Sequence, residues 1–119
     1  MANYLLRVWQ KEDWKPKSFT LGSYVLVYNE TQVGVMAGPI WDIHRIDIEP
    51  KGQGHGTEFI KQVVEKAREA KRKGYINEEW LRVQSVQGDS PKDRAALEHI
   101  LRDKFGFERE DDTTWRLAL

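Results

Sequence analysis

Six residues near the middle of the chain have the composition of an anion-binding loop. Three glycines alternate with other residues after a strand-like segment, and an amphipathic helical pattern begins directly after them. Glycine lets the backbone turn tightly and approach a ligand closely, while a helix N-terminus adds unpaired N–H donors and a partial positive charge. The pattern therefore favours a phosphate or pyrophosphate ligand. The six residues are Lys51, Gly52, Gln53, Gly54, His55 and Gly56.

The spacing of these glycines separates the loop from two common phosphate-binding motifs. A P-loop ends in Gly-Lys-Ser/Thr, which this loop lacks, and a dinucleotide fingerprint has the spacing G-x-G-x-x-G rather than the G-x-G-x-G found here. A dinucleotide-binding fold would also not place a strand-rich half of the chain before the loop. A plain strand-to-helix turn with three glycines is the alternative interpretation.

Hydrophobic periodicity predicts the elements that position the loop. The order is β-β-β-β-α-β-α-β-β, with hairpins at the front that predict antiparallel pairing and a strand-helix-strand unit that predicts one parallel pair. We therefore predict a single α+β domain over residues 1–119, with a mixed, mostly antiparallel central sheet flanked by helices. Strands are predicted at 4–9, 24–28, 33–37, 41–48, 80–86, 107–109 and 115–119, and helices at 55–73 and 90–105.

The fourth predicted strand changes its alternation part-way along. Trp41 and Ile43 share one parity, whereas Ile46 and Ile48 share the other. A β-bulge near His44 produces such a switch, and we favour it slightly over a strand that is buried on both faces.

Composition excludes several classes of function. The chain has no cysteine, so it has no disulfide, thiolate metal site or cysteine nucleophile, and we expect no metal. A net charge of zero argues against a protein that coats nucleic acid, and the six basic residues within 61–73 are interpreted as a solvated helix face. No apolar run approaches the roughly 20 residues that cross a membrane, and no secretory signal begins the chain, so we expect a cytoplasmic protein without a membrane partner.

Two motifs in this order resemble the GNAT N-acetyltransferase family. Residues 51–56 fit its signature Gln/Arg-x-x-Gly-x-Gly/Ala, with Lys51 in the Gln/Arg place, and the signature opens the long helix after the fourth strand. Residues 104–107 fit the family's Lys-x-Gly-Phe mark after the fifth strand. The resemblance covers about residues 41–107, and the first 40 residues fit only in their strand pattern.

Three features depart from the family pattern. Ile48 stands where the family commonly has a proline, and Arg102 stands where it often has the tyrosine that protonates the departing thiolate. The segment between the first two strands, which in the family folds into helices over the acceptor site, is very short here. An open acceptor site would suit a large acceptor such as a protein.

The resemblance implies acetyl-CoA as cosubstrate and a primary amine as acceptor, on a protein or a small molecule. Backbone N–H groups from Gln53 to Thr57 would hold the pyrophosphate, and the backbone of Ile46 and Ile48 would pair with the pantetheine arm like an added strand. A backbone N–H there could also stabilise the oxyanion.

The same resemblance places the general base on the fourth strand. An amine is mostly protonated near pH 7, so a base must remove a proton before attack. Asp42 lies nine residues before Lys51, where some family members have a base, and His44 is a histidine, which as a residue type titrates near neutral pH. Solvation at the surface is the alternative for both. Asp47 and Glu49 are weaker candidates.

The remaining histidines and the tryptophans are interpreted as residues that support the fold or lie at the surface. His55 is expected to be a neutral loop residue or a neighbour of the phosphate, and His99 a surface residue. Trp9, Trp80 and Trp115 are predicted to lie in the core. Two further tryptophans, Trp14 and Trp41, fit packing at the edge of the core better than an acceptor or adenine pocket.

Two classes of function stay open. The first is an acetyl-CoA-dependent N-acyltransferase. The second is a GNAT-fold module that is catalytically weak or inactive and acts through binding CoA or a protein, which the arginine at position 102 favours and the intact glycine loop disfavours. Turnover of a CoA thioester with candidate amines would distinguish them. The sequence does not define the oligomeric state.

Overall fold

A computed structural model describes residues 3–10, 13–49, 52–84 and 90–119. Within these ranges the chain has an α+β architecture, with two four-stranded sheets and two helices. Lys51 and the end of the strand predicted at 80–86 lie outside the described residues. The elements are β1 (Tyr4–Val8), β2 (Ser23–Tyr28), β3 (Thr31–Ala37), β4 (Asp42–Ile43), β5 (Arg45–Ile48), α1 (His55–Arg72), β6 (Trp80–Val83), α2 (Pro91–His99), β7 (Glu108–Arg109) and β8 (Trp115–Ala118).

Both predicted helices are confirmed. Helix α1 matches its expected range, and α2 begins at Pro91 and continues through a π-helical turn at Ile100–Lys104. Ser90 caps α2, because its hydroxyl oxygen accepts a hydrogen bond from the Asp93 backbone N–H at 3.1 Å. A 3-10 turn at Pro16–Thr20 lies in the segment that the sequence predicts as a loop or a short helix.

The first sheet has the order β1-β2-β3-β5 and is antiparallel throughout. Its β2–β3 hairpin turns at Asn29 and Glu30, which both have positive φ, as a two-residue turn with the twist of the strands requires. The second sheet has the order β4-β6-β8-β7, and β4 and β6 form the one parallel pair that the sequence predicted.

The single central sheet that we predicted is divided in two, which corrects that prediction. The segment predicted as one strand at 41–48 is interrupted at His44, so β4 belongs to the second sheet and β5 to the first. In the described residues, β6 pairs in parallel with Asp42 and Ile43, whereas β5 follows β3, and the two sheets separate between these pairings.

One hydrophobic cluster joins the helices to the sheets. The apolar stripe predicted on α1 is buried, and each fully buried large aliphatic side chain contributes about 1.5–3 kcal/mol. On the opposite side of α1, Lys66 and Lys73 pair with Glu69, and their hydrogen bonds hold the pKa of that carboxyl below its usual value. The basic side of the helix is therefore a solvated face, as interpreted from the sequence. The stripe consists of Phe59, Ile60, Val63, Val64, Ala67 and Ala70.

Three of the five tryptophans occupy the positions expected of them. Trp115 is buried, while Trp14 and Trp41 are half-buried at the edge of the core; Trp14 stacks against two aromatic rings. Trp80 is only half-buried. The prediction that Trp9 lies in the core is wrong, because its side chain is 40% exposed. Trp9 lies on the same side as the outward-facing residues of β1, and the residues that alternate with them are buried.

Replacement of Gly34 by alanine should destabilise the protein by about 1–3 kcal/mol, the usual cost of overpacking a core. Gly34 lies in β3 directly beneath Phe59, and an added Cβ would come within 2.6 Å of two carbons of that ring. Urea unfolding would measure the change. Gly22→Ala is the matched control, because nothing lies within 4 Å of its Cβ position. Equal or greater stability of Gly34→Ala would contradict the packing described.

Candidate functional site

A β-bulge at His44 produces the central feature of the site. The His44 N–H donates to the Ala37 carbonyl at 2.8 Å, and Arg45 also faces Ala37 in the strand register, so two residues oppose one. This confirms the bulge that the parity switch predicted. Before the bulge, the Gln84 N–H still donates to the Ile43 carbonyl at 2.8 Å. Beyond it, β5 follows β3, so the chain parts from β6 at this point.

Within the part of the chain that the structure describes, the parting leaves one edge of β5 without a neighbouring strand. The Glu49 N–H donates to the Val33 carbonyl at 3.0 Å, and in an antiparallel strand alternate residues bond to the same neighbour. Arg45 and Asp47 therefore direct their backbone groups towards β3, while Ile46 and Ile48 direct theirs to the other side. No strand in the described ranges pairs with that side. These are the two residues for which the sequence suggested backbone pairing with a ligand.

The glycine loop, residues 51–56, comes after β5 in the sequence, and its described residues lead into α1. Gly52 and Gly54 have φ values of 76° and 80°, which side-chain-bearing residues rarely adopt. Gly56 serves a different purpose, because a Cβ there would lie 3.1 Å from Cδ1 of Ile48. Two glycines thus make the turn, and the third lets the start of the helix approach β5.

The start of α1 has donors available for an anion. Gly54 is the N-cap residue and has no side chain to cap the helix. The backbone N–H groups of His55, Gly56 and Thr57 consequently have no intrahelical acceptor. Residues 52–54 are exposed to solvent. The described part of the loop therefore fits a phosphate group by both its donors and its accessibility.

His55 differs from its expected role as a loop residue or phosphate neighbour. Its ring is buried, 6% exposed, and Nδ1 lies 2.8 Å from the Tyr4 hydroxyl. Tyr28 also packs against it. Burial, followed by the nearby Tyr28 and Glu58, raises the pKa of Tyr4, so its hydroxyl stays protonated. The His55 side chain therefore holds the helix start to β1, and only its backbone faces the loop.

Asp42 and His44 are brought together on the outward face of the second sheet. His44 Nε2 lies 3.2 Å from Asp42 Oδ2, and the Gln84 amide donates to Asp42 Oδ1 at 2.6 Å. The Asp42 side chain is 24% exposed and the His44 side chain 55% exposed. Asp42 is thus held between two partners, whereas the imidazole remains accessible. This arrangement suits an imidazole base that is oriented by a carboxylate.

Sequence reasoning missed Gln84 and Tyr4 as members of the site. Gln84 faces Asp42 only because β4 and β6, which α1 separates in the sequence, pair in parallel. Tyr4 contacts His55 although 51 positions separate them in the sequence. Neither contact has a signature in the local sequence. Of the weaker base candidates, Asp47 is an exposed ion-pair partner of Arg45, and Glu49 is exposed.

Two residues of the second helical segment are on the surface. His99 is exposed, as expected, and its Nδ1 lies 2.7 Å from the Asp103 carboxylate. Arg102 is also exposed and bonds to Asp103, which raises the pKa of its guanidinium further. Arg102 therefore remains protonated and does not give up a proton near neutral pH.

No protein-family model matches the chain, and comparisons with curated proteins and with solved structures found no significant match. Among the described residues, no group of three or more histidine, aspartate or glutamate side chains is arranged to hold a metal ion. Neither described helix combines the length and apolar character needed to span a bilayer.

Proposed function

We propose that this protein is a GNAT-type N-acyltransferase that transfers an acetyl group from acetyl-CoA to a primary amine. The observation that carries the proposal is the parting of the strands at His44, next to a glycine loop that opens a helix. Among the described residues, an unpaired strand edge at residues 46–48 is followed along the chain by an uncapped helix start at residues 54–57. A ligand with both an amide-containing arm and a pyrophosphate matches this sequence of groups.

Each part of the cosubstrate has a proposed position. The backbone N–H groups of residues 53–57 bind the pyrophosphate, with the helix N-terminus contributing its partial positive charge. The outward N–H and C=O groups of Ile46 and Ile48 pair with the amides of the pantetheine arm. The acyl group then lies near the bulge, beside the accessible imidazole of His44.

His44 is assigned as the general base and Asp42 as its positioning residue. The Asp42 carboxylate can hold the imidazole in one orientation and stabilise the positive charge that it gains, while Gln84 holds the carboxylate in turn. His44 takes the proton of the attacking amine. Because Arg102 cannot act as an acid, we propose that the departing thiolate takes its proton from solvent or from the protonated imidazole.

A binding module without catalysis is the second candidate, and the surface position of Arg102 favours it. The Asp42–His44–Gln84 arrangement favours the enzyme, because CoA binding alone does not require an oriented imidazole. Release of free CoA from acetyl-CoA in the presence of amines distinguishes the two.

The proposed function is tested first by binding. Native mass spectrometry of the protein as purified, followed by calorimetric titration with acetyl-CoA, should show one cosubstrate bound per chain. Inorganic pyrophosphate should compete weakly, because it occupies only the loop. Failure of acetyl-CoA to bind at millimolar concentration would refute the proposal.

A further inference from the structure

The first sheet has an outer face, opposite α1, that presents apolar side chains to solvent. Along β1 the inward residues Leu6 and Val8 are buried, whereas the outward Leu5 and Trp9 are 51% and 40% exposed. These two are among the three large hydrophobic side chains that are exposed in the described part of the chain. The apolar residues of the outer face are Leu5, Trp9, Val25, Val27, Val35 and Ala37.

Four residues that lie side by side across the sheet form a charged row on the outer face. Side chains of residues that pair across neighbouring strands share one face of a sheet. The row has a cation at its β1 end, an anion at its β5 end and two valines between them. In order, its members are Arg7, Val25, Val35 and Asp47.

The charged row is complementary to a second copy of itself. Sheets that stack face to face keep their strands within about 30° of each other. A twofold axis that runs along the strands, between β2 and β3, then places β1 of one copy over β5 of the other. Arg7 meets Asp47 of the second copy, the reverse contact forms at the same time, and the valines meet between them.

The other simple arrangement is unfavourable. A twofold axis that runs across the strands would place Arg7 over Arg7 and Asp47 over Asp47, and like charges that face each other in an interface are repulsive. The distribution of charge along the row therefore favours the axis along the strands.

A neighbouring row fits the same arrangement. The Trp9 N–H donates to the Ser23 carbonyl at 3.1 Å, Ser23 pairs with Ala37, and Ala37 pairs with Arg45 at the β5 edge. In the stacked pair, the exposed indole of Trp9 lies near Arg45 of the second copy. A guanidinium over an indole is a favourable cation–π contact.

We propose that the outer face of the first sheet is the interface of a homodimer, in which Arg7 of each copy pairs with Asp47 of the other. Asp47 is exposed and already lies 3.0 Å from Arg45 of its own chain. A carboxylate has about four acceptor sites and a guanidinium has five N–H donors, so both groups can take a further partner. The interface uses neither the glycine loop nor the Asp42–His44 pair and is independent of the proposed function.

The size of the outer face predicts a weak dimer. The sheet has four strands, and at about 4.8 Å between strands and about 3.4 Å per residue its face covers roughly 300 Å². Each partner in a standard interface buries about 800 Å². We therefore expect a dissociation constant on the order of 10–100 µM, so that the dimer forms only in concentrated solution.

Reversal of either charge tests the pairing. Sedimentation equilibrium from about 1 µM to about 1 mM covers the expected range. Arg7→Glu and Asp47→Arg should each raise the dissociation constant at least about tenfold, because each places like charges together twice in the symmetric pair. An equimolar mixture of the two variants should dimerise as the unaltered protein does, since both contacts between the variants then join opposite charges.

A matched pair of aromatic substitutions locates the apolar contact. Trp9→Ala should weaken the dimer at least about tenfold, as expected for an aromatic residue that is buried twice in a symmetric interface. Tyr75→Ala removes a ring of similar exposure, 41%, that follows α1 and is not part of the outer face. It should leave the dissociation constant unchanged. The ¹⁵N spectrum of each variant reports whether its fold is intact.

Several results would overturn the proposal. These are a protein that stays monomeric at about 1 mM, charge reversals that leave association unchanged, a mixture of folded variants that does not associate, and equal effects of Trp9→Ala and Tyr75→Ala. If Arg7→Glu does not fold, Asp47→Arg alone decides, because the Asp47 side chain is 57% exposed. No measurement uses acetyl-CoA, so the outcome is separate from that of the proposed function.

Discussion

We expect His44→Ala to lower kcat by about 100- to 10,000-fold, the range of a general base, while affinity for acetyl-CoA stays near that of the unaltered protein. The imidazole is accessible, and it lies where β5 parts from β6. Its loss removes the group that takes the proton of the amine. It removes nothing from the glycine loop or the free edge of β5, so binding and catalysis should separate. Steady-state kinetics with an accepting amine, together with calorimetry, measure both.

Asp42→Asn should give a smaller loss of kcat than His44→Ala, and the double variant should be no slower than His44→Ala alone. This non-additivity is expected because Asp42 acts only through the imidazole to which it is bonded. The rate of the unaltered protein should fall as the pH falls and the base becomes protonated. His44→Ala should lose that acidic limb of the profile.

A second histidine–carboxylate pair provides a matched control. His99 and Asp103 lie 2.7 Å apart on the second helical segment, exposed as His44 is, but in a different part of the fold. His99→Ala should keep both the full rate and the pH profile. If His44→Ala retains the rate of the unaltered protein, or if His99→Ala loses as much, His44 is not the base.

The sequence predicted best those features that depend on neighbours along the chain. The buried stripe of α1 recurs every three to four residues, the Ser90 cap acts over three residues, and the bulge at His44 follows from a parity change within eight residues. Each is local, so composition and spacing suffice to predict it. The loop glycines were likewise identified, although only the structure shows that Gly56 serves packing rather than the turn.

Features that depend on pairing between distant segments were missed or predicted wrongly. The sheet is divided because, as far as β6 is described, it pairs with two residues of the fourth predicted strand, and nothing in either segment specifies that limit. His55 turns inwards because Tyr4 of β1 and Tyr28 of β2 pack around its ring. Gln84 became part of the site for the same reason. The proposal of His44 rather than Asp42 as the base therefore uses contacts that only the structure shows.

Gly54→Glu should abolish binding of acetyl-CoA, with an increase in Kd of at least about 100-fold, or about 2.7 kcal/mol at 1.36 kcal/mol per tenfold change. Gly54 is the N-cap of α1 and is exposed, so a carboxylate there lies among the N–H donors proposed for the pyrophosphate. It would occupy the positive end of the helix and repel the anion. Calorimetric titration measures the loss.

Backbone strain is the competing explanation for such a loss, and Gly74 separates the two. Gly74 follows the other end of α1, with φ of 78° against 80° at Gly54, and no atom lies within 4 Å of either Cβ position. Gly74→Glu therefore introduces similar strain and the same charge, at a helix C-terminus where a negative charge is additionally unfavourable. We expect it to be at least as destabilised in urea as Gly54→Glu and yet to bind acetyl-CoA normally. Normal binding by a folded Gly54→Glu variant, or equal loss in both, would place the pyrophosphate away from the loop.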